Sequence, residues 1–363
     1  MASDDFDNRP LWQVTLFTSE TGAGKRAYVA LSVDHVLTDG IGIVLLTQAL
    51  LSPDITALPI EDFSHLASLE ETISVVPSWR NTIPIVWNAL VLPKLPTFIQ
   101  NYLRPSPTWP TECAKPPVEC PTLLSFQHLP ISLIDPIKAL GKARGVLTLH
   151  PILKIAYLVS LWSLYRDTMP ADTFNLFTRT MRSERRTSLN HSYCTMNYVS
   201  SVVYDFAASP TDDFWDRARA FSTYMRLDST ITDGRQQMGM LAYVPDPAHH
   251  VPTEHAPTGW EEFFLKDATS RKPPHEAVGM SNLGYTTLPP NAEDLMWAQG
   301  ASPFGGGIGV SLIGHAKGVR ISTGFRDGCV VDKVQVKRIE ATFERVLQRL
   351  LEGKSSLADL TGE

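Results

Sequence analysis

Residues 28–40 read Tyr-Val-Ala-Leu-Ser-Val-Asp-His-Val-Leu-Thr-Asp-Gly, and this stretch decides how the rest of the chain is interpreted. Its first six residues form an apolar run that predicts a β-strand. After Gly40, apolar residues recur at helical spacing as far as Leu50, which predicts a helix, and Asp39 stands where a carboxylate caps a helix N-terminus. His35 is therefore predicted to lie in a short connection between a strand and a helix.

The H-x-x-x-D-G pattern from His35 to Gly40 suits acyl transfer from a thioester. An aliphatic hydroxyl becomes a useful nucleophile only when a base takes its proton, whereas a leaving thiol, with a pKa of about 8.5, needs little help. A single imidazole can serve both steps, so we predict His35 as the catalytic base. Asp39 is predicted to orient the loop by binding an arginine, and Gly40 and Gly42 to let another backbone or a substrate approach closely. The alternative is an ordinary loop histidine beside a helix cap.

The flanking sequence predicts an α/β protein in two parts. Residues 12–17 alternate apolar and polar and form a hairpin with the following run. Residues 52–123 are rich in proline and predict a long surface connection, so we divide the chain into an N-terminal half with this connector, residues 1–123, and a C-terminal half, residues 124–363. The second half is predicted to contain helices at 132–144, after Thr148, at 260–266 and at 332–351, and strands at 174–180, 198–204, 286–288, 309–313 and 319–323.

Composition excludes several classes of function. The formal net charge of -6 and a sequence pI near 5.9 leave no basic stripe for phosphates, so we expect no nucleic-acid partner. The four cysteines form no C-x-x-C pair, which predicts neither a zinc site nor a disulfide framework. The acidic N-terminus lacks the pattern of a secretory signal, and we expect a cytoplasmic protein.

Residues 83–102 are apolar but interrupted by prolines and Lys94, so they do not predict a membrane span. We expect this segment to pack in a groove between the halves. The alternative is peripheral membrane association through its apolar side chains.

Other patterns in the sequence are reminiscent of functional sites, but each lacks a feature that such a site requires. His249, His250 and His255 lie in a proline-rich loop without a helix to hold ligand geometry, so we predict no metal site. Residues 19–26 lack the first glycine and the hydroxyl residue of a phosphate-binding loop and predict a turn. The glycine run at 305–309 follows Phe304, not a strand, and predicts a flexible loop. Ser281 and Ser311 lack the G-x-S-x-G elbow of serine hydrolases.

The chain resembles the fungal alcohol O-acetyltransferases, which are related to the chloramphenicol acetyltransferase, BAHD and condensation-domain folds and share the H-x-x-x-D-G signature. The resemblance is loose and covers nearly the whole chain. It rests on Pro10 to Trp12, the His35 motif, the segment that leads to Thr148, and three later segments, namely residues 181–182, 197–199 and 281–284.

The resemblance implies a chloramphenicol-acetyltransferase-like sandwich of two α/β halves with a central tunnel between them. It implies His35 as the base and Asp39 as a structural carboxylate, with Arg182 as its partner. Ser281 and Asn282 would line the tunnel and donate to the oxyanion, or alternatively form a turn before Gly284. The co-substrate would be acetyl-CoA or another acyl-CoA, with no tightly bound cofactor, and the protein a monomer.

The sequence leaves three functions open. The first is transfer of an acetyl group to an alcohol in a ternary complex. The second is acylation of an amine, or condensation on a carrier-bound thioester. The third is a noncatalytic binding protein, because family members carry a longer segment before the first strands and this chain has only a short lead into Trp12, so part of the N-terminal half is expected to be missing.

Overall fold

A computed structural model describes residues 10–21, 24–54, 68–103, 108–170, 173–185, 195–243 and 259–362. The strands in this part of the chain are β1 (Trp12–Thr21), β2 (Gly24–Val33), β3 (Thr122–Pro130), β4 (Asn175–Ser183), β5 (Val199–Ala207), β6 (Val278–Tyr285), β7 (Ile308–His315) and β8 (Gly318–Arg326). The α-helices are α1 (Gly40–Leu50), α2 (Leu69–Thr72), α3 (Trp79–Val86), α4 (Thr97–Leu103), α5 (Ile131–Ala143), α6 (Leu149–Tyr165), α7 (Phe214–Tyr224), α8 (Asp228–Gly239), α9 (Gly259–Ala268), α10 (Lys333–Leu351) and α11 (Leu357–Thr361). The predicted α/β class is confirmed.

The chain packs into two compact units. The first, unit 1, consists of Met1–Ile73, Ser183–Val199 and Leu288–Glu293. Its framework is an antiparallel hairpin in which β1 pairs with β2 from Trp12 opposite Val33 to Thr21 opposite Gly24. Helix α1 follows β2 and packs on it. Unit 1 therefore holds the predicted strand, the His35 connection and the predicted helix.

Unit 2 consists of Ser74–Arg182, Ser200–Thr287 and Asp294–Glu363 and is built on a six-stranded mixed sheet. The strand order is β3-β8-β7-β6-β4-β5. Strand β6 is parallel to both β4 and β7, whereas β8 is antiparallel to β7 and β3. The division predicted at residue 123 stays a prediction.

Helix α6 is the centre of the core in unit 2. Its side chains are buried from Pro151 to Trp162, so the helix is covered on every side and not only along the predicted stripe. It packs on α10, α7 and α5, and α10 contributes an apolar face that includes Phe343 and Leu347. A helix of this kind must carry apolar residues all round, which explains why the sequence of α6 shows weak amphipathic periodicity.

The sequence predicted most helices and strands but not all. The hairpin, α1, α5, α6, α10 and the strands β4, β5, β7 and β8 are confirmed within a few residues. The strand predicted at 286–288 is wrong, because the chain leaves the sheet at Tyr285. Strands β3 and β6 and helices α7 and α8 were missed. In β6 the polar pair Ser281 and Asn282 and two glycines hid the strand pattern.

The segment predicted either to fill a groove or to contact a membrane forms short helical pieces. Helix α3 contains Pro84 and runs through one π-helical turn (Trp87–Val91) and one 3-10 turn (Leu92–Lys94) before α4. Apolar side chains such as Trp79 and Phe98 are exposed there. No helix in the described part of the chain is both long and apolar enough to cross a bilayer. Association with a membrane surface stays a prediction.

One charged residue lies inside the core helix. Lys154 is 0% exposed, and its ammonium donates to the carbonyl oxygen of Arg179 at 3.1 Å. Burial lowers the pKa of Lys154 to about 7, partly opposed by the charge of Glu276. The unfolded chain keeps this proton up to a pKa of about 10.4, so folding releases it between these two values. The free energy of unfolding therefore rises with pH in this window.

Replacement of Lys154 by methionine tests this linkage. Below pH 7 the wild type carries a buried charge that the variant lacks. The free-energy cost of burying this lysine falls as the pH rises toward 10. We expect the free energy of unfolding of the wild type to gain on the order of 4 kcal/mol relative to Lys154→Met between pH 6.5 and 10. Urea denaturation followed by circular dichroism measures it, and parallel pH curves for the two proteins would show that Lys154 does not titrate as described.

Candidate active site

His35 lies in the turn between β2 and α1. The turn is closed by the backbone amide of Leu37, which donates to the carbonyl oxygen of Asp34 at 3.1 Å, and by the Asp34 carboxylate, which accepts from the amide of Val36 at 2.9 Å. Aspartate at this position favours such a local turn because its short side chain reaches the backbone two residues on. The imidazole of His35 is exposed.

Asp39 is the most heavily bonded side chain of this turn. Its Oδ1 accepts from the amide of Gly42 at 2.8 Å, which is the predicted N-cap of α1, and from Nη2 of Arg185 at 2.6 Å. Its Oδ2 accepts from Nε of Arg185 at 3.2 Å and from the amide of Tyr198 at 3.0 Å. The side chain is 0% exposed. With four donors the carboxylate is saturated, so its role is to hold the turn and not to exchange a proton with substrate.

The arginine that binds Asp39 is Arg185, three residues beyond the predicted Arg182. Arg182 belongs to β4, whereas Arg185 follows the end of that strand and forms a two-point fork with the carboxylate. Nη2 of Arg185 also donates to the carbonyl oxygen of Met196 at 2.7 Å, and its guanidinium carbon lies 5.8 Å from the centre of the Tyr198 ring. Arginines stand at positions 182, 185 and 186 around the end of β4, and spacing alone did not distinguish them.

Asn197 orients the His35 ring, a role that sequence reasoning did not assign. Its Nδ2 lies 3.2 Å from the carbonyl oxygen of His35 and 3.3 Å from Nδ1 of the same residue. The carbonyl can only accept, so the amide must present its NH₂ group, and Nδ1 is then an acceptor as well. In this arrangement the neutral ring carries its proton on Nε2. Residues 197–199 were part of the resemblance to the fungal alcohol O-acetyltransferases, but no motif in the sequence linked Asn197 to His35.

Gly42 explains how α1 and the segment with Asn197 come so close together. A Cβ atom at this position would lie 2.4 Å from the carbonyl oxygen of Thr195, which real Cβ atoms do not tolerate. The predicted close approach of a backbone at Gly42 is thus present within unit 1. Gly40 is the first residue of α1.

Ser281 and Asn282, the predicted oxyanion donors, lie on β6 in unit 2. The Oδ1 atom of Asn282 accepts from the amide of Gly284 at 2.8 Å, and its Nδ2 lies 3.3 Å from Nδ1 of His150 on α6. Gly284 has a φ of 78°, a left-handed conformation that suits glycine. Burial, and then the charge of Lys154, lowers the pKa of His150 to about 3. The oxyanion role of this pair stays a prediction.

Several other predicted features lie outside the described residues or differ from expectation. His249, His250 and His255 are outside the described part of the chain. The glycine run at 305–309, expected to be flexible, is packed: the amide of Gly307 donates to the carbonyl oxygen of Glu276 at 2.9 Å. A Cβ at Gly306 would lie 2.9 Å from Cγ of the same glutamate.

Removal of either charge in the Asp39–Arg185 pair tests its structural role. We expect Asp39→Ala to lower the free energy of unfolding by about 3 to 5 kcal/mol, because Arg185, only 10% exposed, then loses its counter-charge. The double variant with Arg185→Ala should lose less than the sum of the two single changes. Asp135→Ala, at an exposed position on α5, is the matched control. A denaturation midpoint of Asp39→Ala equal to that of the control contradicts the assignment.

The fold was compared with known proteins. No family model matches the chain, and no curated protein sequence matches it. Among solved structures, the epimerization domain from the third module of tyrocidine synthetase B aligns with a TM-score of 0.56 at 13% identity, over 97% of this chain and 73% of that one. A structure that concerns condensation domain-mediated chain release from the enacyloxin polyketide synthase aligns with a TM-score of 0.51 at 13% identity, over 96% of this chain and 63% of that one. The SgcC5 protein of Streptomyces globisporus aligns with a TM-score of 0.54 at 14% identity, over 95% of this chain and 72% of that one. That structure is a complex with (R)-(-)-1-(2-naphthyl)-1,2-ethanediol and sucrose.

These likenesses establish the fold and not the chemistry, because each identity is far below the level at which activity is shared. The chain spans less than two thirds of the enacyloxin synthase structure and nearly three quarters of the other two. We conclude that this chain has the fold seen in condensation and epimerization domains.

Proposed function

We propose that this protein transfers a short acyl group from an acyl-CoA thioester to a hydroxyl group, with His35 as the base. The observation that carries the proposal is the way His35 is held. The ring is exposed, its Nδ1 is bound by Asn197, and among the described residues no hydrogen bond occupies its Nε2. Such a ring presents one nitrogen to a substrate from a turn that a buried ion pair fixes.

In the proposed reaction the acceptor hydroxyl gives its proton to Nε2 of His35 while its oxygen attacks the thioester carbonyl. Collapse of the tetrahedral intermediate breaks the carbon–sulfur bond, and the proton on Nε2 passes to the leaving thiolate. Asp39 holds the turn throughout, because all four of its hydrogen bonds come from groups of the protein.

The contact with Asn197 places a condition on this mechanism. Base catalysis at Nε2 requires a neutral ring with its proton on Nδ1, whereas the amide of Asn197 donates to Nδ1 in the arrangement described above. The proposed mechanism therefore needs the ring proton on Nδ1 when the acceptor is bound, and Asn197 then holds the turn through its bond to the His35 carbonyl oxygen. Asn197 is on this account a positioning residue.

His150, on α6, is poorly suited to the same role. A group with a pKa of about 3 has little tendency to accept a proton from an alcohol at neutral pH. Its Nδ1 also faces Asn282. The exposed His35 remains the best candidate.

A second candidate function is condensation on a carrier-bound thioester. The solved structures with this fold include one described by condensation-domain-mediated chain release, which favours this alternative. The diol bound to SgcC5 fits a hydroxyl acceptor under either function. The identity of the acyl donor separates the two candidates, because the thioester is attached to CoA in one and to a carrier protein in the other.

Replacement of His35 by alanine tests the base. We expect purified wild type to release CoA thiol from acetyl-CoA when alcohols are supplied, and His35→Ala to lose this stimulated release by about 100-fold or more. His275→Ala is the control, since that side chain is 78% exposed and lies outside unit 1. Equal stimulated release from wild type and His35→Ala would falsify the proposal. Release only from an acylated carrier protein would favour condensation, and no release from a folded wild type would favour a noncatalytic binding protein.

Two substitutions at Asn197 test the positioning role. We expect Asn197→Ala to lower kcat/KM by about tenfold, because the turn that carries the ring loses the hydrogen bond to the His35 carbonyl oxygen. Asn197→Asp places a carboxylate beside the ring, which favours its protonated form. The base must be unprotonated, so the acid limb of the pH–rate profile then moves to higher pH. Both predictions fail if the two variants share the wild-type rate and profile.

A further inference from the structure

Three cysteines that lie far apart in the sequence meet in unit 2. Cys113 and Cys120 precede β3, and Cys329 lies in the connection from β8 to α10. The three side chains are 1%, 2% and 6% exposed and pack against one another. All three are free thiols. Their spacing predicted no disulfide framework, and only the fold shows that they form one cluster.

Backbone hydrogen bonds fix the positions of Cys113 and Cys329. The amide of Ala114 donates to the carbonyl oxygen of Cys329 at 2.8 Å, and the amide of Cys113 donates to the carbonyl oxygen of Arg271 at 2.9 Å. The thiol of Cys329 interacts with Cys113 most strongly and also with Cys120. The backbone contact with Ala114 and the packing of the side chains hold Cys329 next to Cys113.

The three thiols differ in reactivity. As a neutral thiol Cys113 donates to the carbonyl oxygen of Lys272 at 3.1 Å. The hydrogen bond from Cys329 lowers the pKa of Cys113, with a further contribution from Arg271 and against the effect of burial. The pKa of Cys329 is raised by the same hydrogen bond, and that of Cys120 by burial. Cys113 is thus the thiol that ionises most readily.

A cleft leads to two of the three thiols. Cys113 and Cys329 line it, together with Arg326, Lys272 and the glycines at 305–307. The wall is closely packed at the glycines, because a Cβ at Gly307 would lie 3.1 Å from Cγ2 of Val330 and 3.3 Å from Cγ of Pro274. Cys120 does not line this cleft. Of the three cysteines, Cys113 and Cys329 are thus the two that a small reagent in the cleft could contact.

We propose that this cluster is a peroxide-reactive thiol site in which Cys113 and Cys329 form a disulfide. The Cys113 thiolate attacks one oxygen of hydrogen peroxide, the O–O bond breaks, and the products are Cys113 sulfenic acid and, after protonation, one water. The Cys329 thiol then attacks the sulfenic sulfur, and the hydroxyl leaves as a second water. Two thiols lose two electrons in total, and the peroxide gains them.

Metal binding is not the better account of the cluster. In the described ranges, no group of three or more His, Cys, Asp or Glu side chains is arranged to hold a metal ion. A hydrogen-bonded pair of thiols with one readily ionised member suits two-electron oxidation. Hydrogen peroxide, which is close to water in size, suits thiols at the end of a cleft.

The test is peptide mapping of the folded, full-length chain after treatment with hydrogen peroxide at pH 7. A protease that cuts after glutamate separates Cys113 from Cys120, because Glu112 and Glu119 flank the peptide that carries Cys113. We expect loss of two of the four thiols and a cross-link between the peptides of Cys113 and Cys329. Cys120→Ser and Cys194→Ser should keep this cross-link. Cys329→Ser should abolish it and leave a sulfenic acid on Cys113 that a dimedone probe labels.

Circular dichroism establishes that each variant is folded, and Cys113→Ala, which should also lose the cross-link, replaces Cys329→Ser if the latter does not fold. The proposal is overturned if the native wild type keeps all its thiols, or if the cross-link uses Cys120 in place of Cys113. It is also overturned if folded Cys329→Ser shows no labelled Cys113. This site is independent of the proposed acyl transfer, so neither result bears on the other.

Discussion

The buried ion pair of Asp39 and Arg185 is the constraint on which the candidate site depends. It joins the start of α1, the segment after β4 and the segment that leads into β5, because one carboxylate binds Gly42, Arg185 and Tyr198. Burial of two charges is costly unless every hydrogen-bonding group is satisfied, and here the carboxylate has four donors. The result is a fixed turn with His35 at its tip and Asn197 beside it.

Much of this arrangement could be predicted from the sequence, because it is local. The apolar run before His35, the helical spacing after Gly40 and the capping position of Asp39 each require only a few neighbouring residues. The choice of Arg185 over Arg182 and the role of Asn197 could not be predicted, since both depend on how the chain returns from β4 to β5. The same holds for Cys113 and Cys329, which become neighbours only in the folded sheet.

The fold and the chemistry rest on different observations. The mixed sheet and the likeness to condensation and epimerization domains establish an architecture that supports more than one reaction. The proposed acyl transfer rests instead on the local geometry of His35, whose ring is exposed while the Asp39–Arg185 ion pair that fixes its turn is buried. This separation of a rigid support from an accessible reactive group is what general-base catalysis requires.

The central claim is that Asn197 acts through the His35 ring, and a double-mutant cycle tests it most directly. Stimulated thiol release from acetyl-CoA is measured for wild type, His35→Ala, Asn197→Ala and the double variant, all confirmed as folded. Residues that act as one unit are not additive, so we predict that Asn197→Ala lowers kcat/KM in wild type but has no further effect once His35 is removed. Equal losses from Asn197→Ala with and without His35 would contradict the account.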